Sequence, residues 1–200
     1  MLSDKHIRKL ADKKGLVYPL NEEFLQPASY DVHLGPTFIN VKTGERRIVV
    51  DAEGYFTLPP GELWLGATSE YFRIPDDIAA QVEGRSSWGR LGLLTHITAG
   101  FIDPGFEGMI TLELYNIGAY PLVLPTVFDL SVDNSKVEPI AQVSFTKLSS
   151  KARRPYRVRG HYIGPTGPEE SKLEEYVEKP RWASGASGFE TTPVEPDTNK

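Results

Sequence analysis

The stretch that decides the fold covers residues 83–116 and reads EGRSSWGRLGLLTHITAGFIDPGFEGMITLELYN. It combines a basic, hydroxyl-rich turn, a loop broken by Gly and Pro, and a final segment in which apolar and polar residues alternate. Alternation with a period of two is typical of a half-buried β-strand. The stretch therefore predicts a strand, preceded by a turn whose side chains suit a charged ligand.

The turn at residues 85–90 carries guanidinium groups from Arg85 and Arg90 and hydroxyl groups from Ser86 and Ser87. Phosphate oxygens accept hydrogen bonds from Arg side chains, hydroxyls and free backbone N–H groups, so the turn is a candidate phosphate site. The same residues would also form an ordinary solvated helix start, with one of the two serines as its cap. The local sequence leaves both interpretations open.

The strand at residues 110–115 carries a single carboxylate, that of Glu113. Its period of two separates two faces, one with Ile110, Leu112 and Leu114, the other with Thr111, Glu113 and Tyr115. If the second face lines a cleft, Glu113 is a candidate general base. If that face meets water, Glu113 is an ordinary surface residue.

The loop before this strand places Asp103 between turn-forming residues. The Asp103 carboxylate could bind a ribose hydroxyl, hold a water molecule or anchor Mg²⁺ indirectly. An Asp before Pro is also a common turn former, so a purely local role is equally consistent with the sequence. His96 lies in an otherwise apolar run, and we expect it to be a core or interface histidine with satisfied hydrogen bonds.

The remaining sequence predicts short strands at residues 29–35, 38–41, 46–50, 56–58, 63–68, 71–74, 79–83, 122–124 and 140–148. Short strands separated by Gly and Pro at this spacing indicate an all-β sandwich or barrel such as a jelly roll. Helix is expected at the N-terminus, from a cap at Ser3 or Asp4 to an end at Gly15, and at residues 88–94. Residues 129–138 are polar and are expected to form a longer loop or hairpin.

Two hundred residues favour one domain, which we expect to cover residues 1–175. Within it, residues 156–175 form a basic, aromatic and Gly-rich segment that suits a mobile flap over a ligand, although an exposed linker would have the same composition. Residues 176–200 offer little to bury and are expected to be a disordered tail.

The composition excludes several kinds of protein. A net charge of -5 argues against general electrostatic binding of nucleic acid or anionic membrane. The chain has no Cys, which excludes disulfides, thiol nucleophiles and thiolate metal sites. Its four His residues form no pair with the spacing of a zinc-binding helix, so no zinc site is expected. No apolar run is long enough to span a bilayer and the N-terminus lacks a secretory apolar segment, so a cytoplasmic location is expected.

Residues 83–116 closely resemble the dCTP deaminase branch of the dUTPase superfamily. Four flanking segments also have counterparts there: QPASYDVHLG at 26–35, PGE at 60–62, PIAQ at 139–142 and GPTGP at 164–168. The resemblance covers residues 1–175 and omits the tail. Departures from the family pattern are Trp88 for a usual Leu, His161 for Lys, Pro165 for Gln and Lys172 for Arg.

The resemblance implies a distorted jelly-roll β-barrel of the dUTPase-like type, assembled as a homotrimer with active sites between subunits. It implies removal of the 4-amino group of dCTP without zinc, with Mg²⁺ bound to the triphosphate and no metal ligand among the protein side chains. It further implies a place in dUMP and dTTP supply, with dTTP as an inhibitor.

The resemblance also assigns roles to residues of this chain. Glu113 matches the proton donor and acceptor that activates water for attack at C4, and Asp103 matches a deoxyribose-contacting position. The triphosphate-binding turn comprises Arg85, Ser86, Ser87, Trp88, Gly89 and Arg90, of which Ser86 and Arg90 also lie close to the reacting centre. Thr111 and Leu112 present their backbone to the base, and Gln142 and Tyr156 match further nucleotide-contacting positions.

The Gly100-Phe101 pair bears on the product. Family members that stop at dUTP tend to carry His-Arg there, whereas members with a similar Gly-Phe pair also cleave the triphosphate, giving dUMP and diphosphate. In the second type, Asp103 would position a water molecule at the α-phosphate. The alternatives are a deaminase that releases dUTP, a dUTPase-like pyrophosphatase without deamination, and a non-catalytic nucleotide-sensing relative.

Overall fold

The computed structural model describes residues 1–49, 54–128 and 135–176. Its strands are β1 (Val17–Tyr18), β2 (Ser29–Val32), β3 (Thr37–Asn40), β4 (Arg46–Ile48), β5 (Tyr55–Leu58), β6 (Leu63–Arg73), β7 (Ile78–Gly84), β8 (Leu93–Leu94), β9 (Phe101–Ile102), β10 (Glu107–Asn116), β11 (Leu122–Pro125) and β12 (Ala141–Lys147). Its helices are α1 (Asp4–Lys14), α2 (Ser86–Gly89), α3 (Tyr156–Arg159) and α4 (Leu173–Tyr176), with a 3-10 turn at Glu22–Phe24. The predicted mainly β fold class is confirmed.

Two larger sheets and one ribbon contain these strands. The first sheet has the order β4-β3-β6-β10-β8, and β1 also pairs with β6. The second has the order β2-β12-β7-β9, and β5 pairs with β11 in a separate two-stranded ribbon. Their buried side chains, such as Trp64 and Leu112 in the first sheet and Val143 and Phe145 in the second, belong to one hydrophobic cluster. The sheets therefore share a core, as in the sandwich architecture.

The N-terminal helix α1 follows the predicted signals. Ser3 precedes it in an extended conformation and Gly15 ends it in the left-handed conformation, with φ at 63°. Lys13 and Lys14 lie in its last turn, where cations favour the helix dipole. Ile7 is fully buried in the core, which explains why so short a helix is stable on the sheets.

Three predicted elements differ from the observed ones. The segments 63–68 and 71–74 form one strand, β6, because the intervening Glu70 is buried and paired rather than exposed. The predicted half-buried strand at 29–35 is β2, whose four residues are all buried; its polar side chains face partners instead of water. The predicted helix at 88–94 is wrong, since α2 covers Ser86–Gly89 and strand β8 follows.

The chain divides into two units, Met1–Glu170 and a second unit that begins at Ser171. In the second unit the structure describes residues 171–176, which include α4. The predicted domain boundary at residue 175 stays a prediction, and the predicted tail lies outside the described residues apart from Tyr176. Residues 129–134 of the predicted long loop and Val50 of a predicted strand also lie outside them. Within the described ranges, no helix has the length and apolar character needed to cross a membrane.

Candidate functional site

A cavity of about 380 Å³ lies where β7 ends and α2 begins. Four predicted site residues line it, namely Arg85, Ser86 and Ser87 from this junction and Gln142 from β12. The other lining residues are Gln26, Pro27, Ser29 and Asp31. The pairing of β12 with both β2 and β7 brings these segments together. The structure therefore joins the candidate phosphate turn to a position far away in the sequence.

The guanidinium of Arg85 is held by two carboxylates. It forms an ion pair with Asp31, and its other terminal nitrogen donates to Glu138 Oε1 at 3.2 Å. Asp31 also accepts a hydrogen bond from Gln26 Nε2 at 3.1 Å. Because the side chain of Asp31 is only 6% exposed while that of Glu138 is 54% exposed, Asp31 is the stronger anchor. Arg85 is thus aimed into the cavity with its charge already balanced.

Burial raises the pKa of Asp31, and the adjacent Arg85 guanidinium acts against this by favouring the carboxylate. Hydrogen bonds from Arg85 and Gln26 act in the same direction as the guanidinium charge. The carboxylate thus depends on Arg85 for compensation of its lost hydration.

The rest of the turn is open to solvent. Arg85 is extended and precedes α2, and Ser86, Ser87, Gly89 and Arg90 are exposed. Trp88 instead turns inward: it packs against the core, and its indole N–H donates to the Pro139 carbonyl oxygen at 3.0 Å. Trp88 therefore packs behind the turn, where it also supplies a hydrogen bond.

Glu113 projects from the polar face of β10. As predicted, Ile110, Leu112 and Leu114 are buried, whereas Thr111, Glu113 and Tyr115 are half-buried. Glu113 Oε2 accepts a hydrogen bond from the Ile97 backbone N–H at 2.8 Å. Glu113 Oε1 forms no hydrogen bond within the described part of the chain. One carboxylate oxygen is thus fixed and the other is available, which suits a group that must hold and move a proton.

One edge of β10 near Glu113 lacks a strand partner among the described residues. Strand β6 pairs with β10 from Glu107 to Tyr115, whereas β8 pairs with it only at Tyr115 and Asn116. The backbone beside Thr111 and Leu112 can therefore offer hydrogen bonds to a ligand at that edge.

Part of the predicted flap lies along β10. The Gly164 N–H donates to the Glu107 carbonyl oxygen at 3.1 Å, and the Met109 N–H donates to the Pro165 carbonyl oxygen at 2.8 Å. Further on, the Glu169 N–H donates to Thr111 Oγ1 at 3.2 Å. Residues 164–169 therefore approach the strand face that carries Glu113.

Asp103 and Tyr156 lie in a third region. Asp103 is exposed at the turn before β10, and the Tyr156 N–H donates to the carbonyl oxygen of the next residue, Pro104, at 2.7 Å. The Tyr156 ring packs edge-on against Phe106, with ring centroids 5.6 Å apart. The start of the flap segment is thus attached to the loop that carries Asp103.

Gly100 is buried against the neighbouring strand. The Val82 N–H donates to the Gly100 carbonyl oxygen at 2.8 Å, and a Cβ at Gly100 would lie 2.8 Å from the Val82 carbonyl oxygen and 3.1 Å from His96 Cε1. Phe101, by contrast, is 65% exposed. His96 Nδ1 is buried without a hydrogen-bond partner in the described structure, so the expectation of a satisfied core histidine is wrong, while its alternative, an interface histidine, stays a prediction.

The predicted site residues thus fall into three regions of one chain: the Arg85 cavity, the Glu113 face of β10, and the Asp103 loop with Tyr156. No hydrogen bond or ion pair within the described residues joins Glu113 to Arg85 or Arg90. Sequence reasoning missed Asp31 and Glu138, the carboxylates on Arg85. A signal existed for Asp31, since it sits in the segment 26–35 that carries part of the resemblance, but no local pattern marks Glu138.

Two carboxylates near the cavity are of the type that can bind a metal ion. Asp31 and Glu138 have the hard oxygen donors that Mg²⁺ prefers, but both engage Arg85. Across the described ranges, no group of three or more His, Cys, Asp or Glu side chains is arranged to hold a metal ion.

A family model described as dCTP deaminase-like matches residues 1–128. The chain is 40% identical over 199 residues to the "dCTP deaminase, dUMP-forming" of Methanosphaera stadtmanae, covering 88% of this chain and 94% of the relative. It is also 40% identical over 195 residues to the "dCTP deaminase" of Natronomonas pharaonis, covering 87% of this chain and 95% of the relative. These matches confirm the resemblance drawn from residues 83–116.

Among solved structures, the chain is similar to the 2'-deoxycytidine 5'-triphosphate deaminase from Agrobacterium tumefaciens. The TM-score is 0.58 at 22% identity, and the match covers 72% of this chain and 46% of that chain. At this identity the likeness supports the fold alone.

The balance between Arg85 and Asp31 predicts a pH-dependent loss of stability. In Arg85→Met, the buried Asp31 carboxylate has no cation beside it, so we expect the free energy of unfolding to fall by about 2 to 3 kcal/mol at pH 8. The loss should shrink as the pH falls towards about 4, the usual pKa of Asp, because a protonated Asp31 needs no cation. Because burial raises the pKa of Asp31, the difference is already measurable by urea unfolding at pH 5 and pH 8.

The matched control for this prediction is the double variant Arg85→Met/Asp31→Asn, which has no buried charge left unpaired. Its loss of stability should be small and independent of pH. A loss in Arg85→Met that is equal at pH 5 and pH 8 would contradict the role given to Asp31.

The contact between β10 and Pro165 predicts that Gly108→Ala detaches the flap. Gly108 has φ at 148°, and a Cβ there would overlap the Pro165 ring. Overpacking of this kind costs about 1 to 3 kcal/mol, so trypsin should cut the flap roughly tenfold faster. Gly167→Ala is the control, since a Cβ at Gly167 meets no atom within 4 Å. Equal cleavage rates in both variants would show that Pro165 does not hold the segment.

Proposed function

Because the chain belongs to the dCTP deaminase-like family, we propose that it deaminates dCTP without zinc and cleaves the triphosphate, yielding dUMP, ammonia and diphosphate. Such a hydrolase would work in the cytoplasm and supply dUMP for dTTP synthesis. The observation that carries the proposal is Glu113, a carboxylate with one oxygen fixed by the Ile97 N–H and the other available, on a strand edge that β8 covers only at Tyr115 and Asn116 in the described structure.

In the proposed deamination, water adds to C4 of the cytosine ring and the amino group leaves as ammonia. Glu113 accepts a proton from the attacking water as the water oxygen bonds to C4, and passes that proton to N3 of the ring. It then moves the proton of the new hydroxyl to the amino group, so that the C4–N bond breaks, ammonia leaves and C4 becomes a carbonyl. The backbone at Thr111 and Leu112 would hold the base by hydrogen bonds, since that edge of β10 is not covered by a strand. Ser86 and Arg90 would stabilise the reacting centre.

The triphosphate would occupy the cavity at Arg85, Ser86 and Ser87, with Gln142 on its far side. The hydroxyls and the guanidinium suit phosphate oxygens. Because Asp31 and Glu138 balance the charge of Arg85, a bare triphosphate would meet little net positive charge there. This supports binding of the triphosphate with Mg²⁺, which lowers the negative charge of the nucleotide.

We further propose a homotrimer in which the site is shared between subunits. Two observations support it: no hydrogen bond or ion pair among the described residues joins the Arg85 cavity to Glu113, and the stretch between them exposes large apolar side chains. These are Leu91 at 59%, Leu94 at 37%, Ile97 at 47% and Phe101 at 65% exposure. Contiguous exposed apolar residues are typical of subunit interfaces.

The product depends on the loop that carries Asp103. With the nucleotide in place, Asp103 would contact the deoxyribose and position a water molecule at the α-phosphate, so that dUTP formed by deamination is cleaved to dUMP and diphosphate. Gly100 and Phe101 match the Gly-Phe pair that the family resemblance links to cleavage of the triphosphate, which supports this role for the loop. A deaminase that releases dUTP is the second candidate, since a relative of the same 40% identity is named simply dCTP deaminase. The same site would accept dTTP as an inhibitor.

The proposed chemistry predicts that incubation with dCTP and Mg²⁺ produces ammonia and dUMP without accumulation of dUTP, as resolved by chromatography. Glu113→Gln should lower kcat for deamination by at least about 100-fold, since it removes the proton carrier while preserving shape. Glu107→Gln is the matched control, because Glu107 lies on the same strand but pairs with Arg73 at its other end. Hydrolysis of dUTP without any turnover of dCTP would contradict the proposal.

The shared site predicts complementation between two inactive variants. Arg90→Ala keeps Glu113 intact, and Glu113→Gln keeps the phosphate turn intact. If the two halves come from different subunits, trimers refolded from an equal mixture should recover about a quarter of the wild-type activity, because each site needs one chain of each type. No recovery in mixed trimers, with each variant inactive alone, would place both residues in one chain's site.

A further inference from the structure

A buried ion pair lies behind the phosphate turn, outside the predicted site. His33 follows β2 and Glu70 belongs to β6, and the two side chains are 3% and 2% exposed. His33 Nδ1 lies 2.7 Å from Glu70 Oε1, and the His33 backbone N–H donates to Glu70 Oε2 at 3.0 Å. The His33 ring packs edge-on against Phe24, with centroids 4.2 Å apart. The ring is therefore held in one orientation.

The other ring nitrogen of His33 reaches a different segment. His33 Nε2 lies 3.2 Å from the Val137 carbonyl oxygen. A carboxylate and a carbonyl oxygen are both acceptors, so the two contacts are both satisfied when both ring nitrogens donate. Glu70 anchors one side of the ring, and the contact on the other side holds Val137.

The two residues after Val137 hold the phosphate turn. The Glu138 carboxylate accepts from the Arg85 guanidinium, and the Pro139 carbonyl oxygen accepts from the Trp88 indole N–H. The segment is also tied to β2, because the Ile140 N–H donates to the Val32 carbonyl oxygen at 2.8 Å. Residues 137–139 therefore connect His33 with two residues of the turn, Arg85 and Trp88.

From this connection we propose that His33, held in place by Glu70, is a positioning residue for the turn proposed to bind the triphosphate. It acts through residues 137–139, which place Arg85 and Trp88. The inference rests on the proposed function, because that function assigns the triphosphate to this turn. A buried polar pair of this kind is often no more stabilising than apolar residues of the same volume, so stability alone gives little reason for His33 and Glu70 at these positions. A donor directed at the Val137 carbonyl oxygen gives such a reason.

The test removes the donor while leaving no buried charge behind. In His33→Met/Glu70→Gln, Met fills the space without donating, and the Gln carbonyl can still accept from the backbone N–H of residue 33. We expect the variant to fold and KM for dCTP to rise roughly tenfold with a much smaller change in kcat, since a slightly misplaced turn weakens phosphate contacts. The variant His33→Arg keeps Glu70 and can donate both to Glu70 and to the Val137 carbonyl oxygen. Its KM for dCTP should therefore lie within about twofold of the wild-type value.

A second readout needs no substrate. In ¹⁵N-labelled protein, the Trp88 indole N–H, assigned with Trp88→Phe, should exchange with solvent faster in the double variant because Pro139 is no longer fixed. The Trp64 indole N–H, which donates to Glu62 at 2.6 Å, is the internal reference and should be unchanged. Phe56→Leu, a core truncation in the β5–β11 ribbon, controls for a general loss of stability and should leave KM unchanged.

The outcomes separate this inference from the proposed function. If the wild-type protein does not turn over dCTP, the proposed function fails, while Trp88 exchange still decides whether His33 positions the turn. Unchanged Trp88 exchange in the double variant, or an equal rise in KM in Phe56→Leu, would overturn the inference. If the double variant does not fold, the same measurements on His33→Gln decide the matter, since one amide donor cannot serve both Glu70 and Val137.

Discussion

The antiparallel pairing of β6 with β10 is the constraint on which the rest of the structure depends. Its register sets Leu112 opposite Gly66 and Glu113 opposite Leu65, and a shift of one residue would turn Glu113 into the core. The same strand β6 carries Glu70 inward to His33. One strand pair therefore fixes both the candidate proton carrier and the ion pair behind the phosphate turn.

A second constraint is electrostatic. The Arg85 guanidinium is paired with two carboxylates, so the proposed recognition of phosphate at the cavity depends on geometry more than on surplus positive charge. This agrees with a chain whose net charge is -5. A site of this kind favours a ligand that can satisfy several donors at once, such as a triphosphate, over any other anion that approaches by attraction alone.

The sequence was sufficient to predict the fold class and the two faces of β10, because alternation and turn residues are local signals. It was insufficient where polar residues are buried with distant partners. The predicted strands at 63–68 and 71–74 stop short of Glu70, which is buried against His33, and the strand predicted as half-buried at 29–35 contains Asp31, which is buried against Arg85. The helix at 88–94 failed for a similar reason, since Leu93 and Leu94 pair with β10 rather than continue α2. Tertiary pairing overrides local propensity at such positions.

The tight packing of Gly100 against β7 bears on how relatives with different products can arise from one another. A side chain at residue 100 would press on the Val82 carbonyl oxygen and the His96 ring, both of which belong to the scaffold of the site. A single substitution there would first cost stability before it altered chemistry. A change between the two product types is therefore expected to need an earlier substitution that moves β7 away from residue 100. Laboratory evolution should recover such pairs of substitutions rather than single ones.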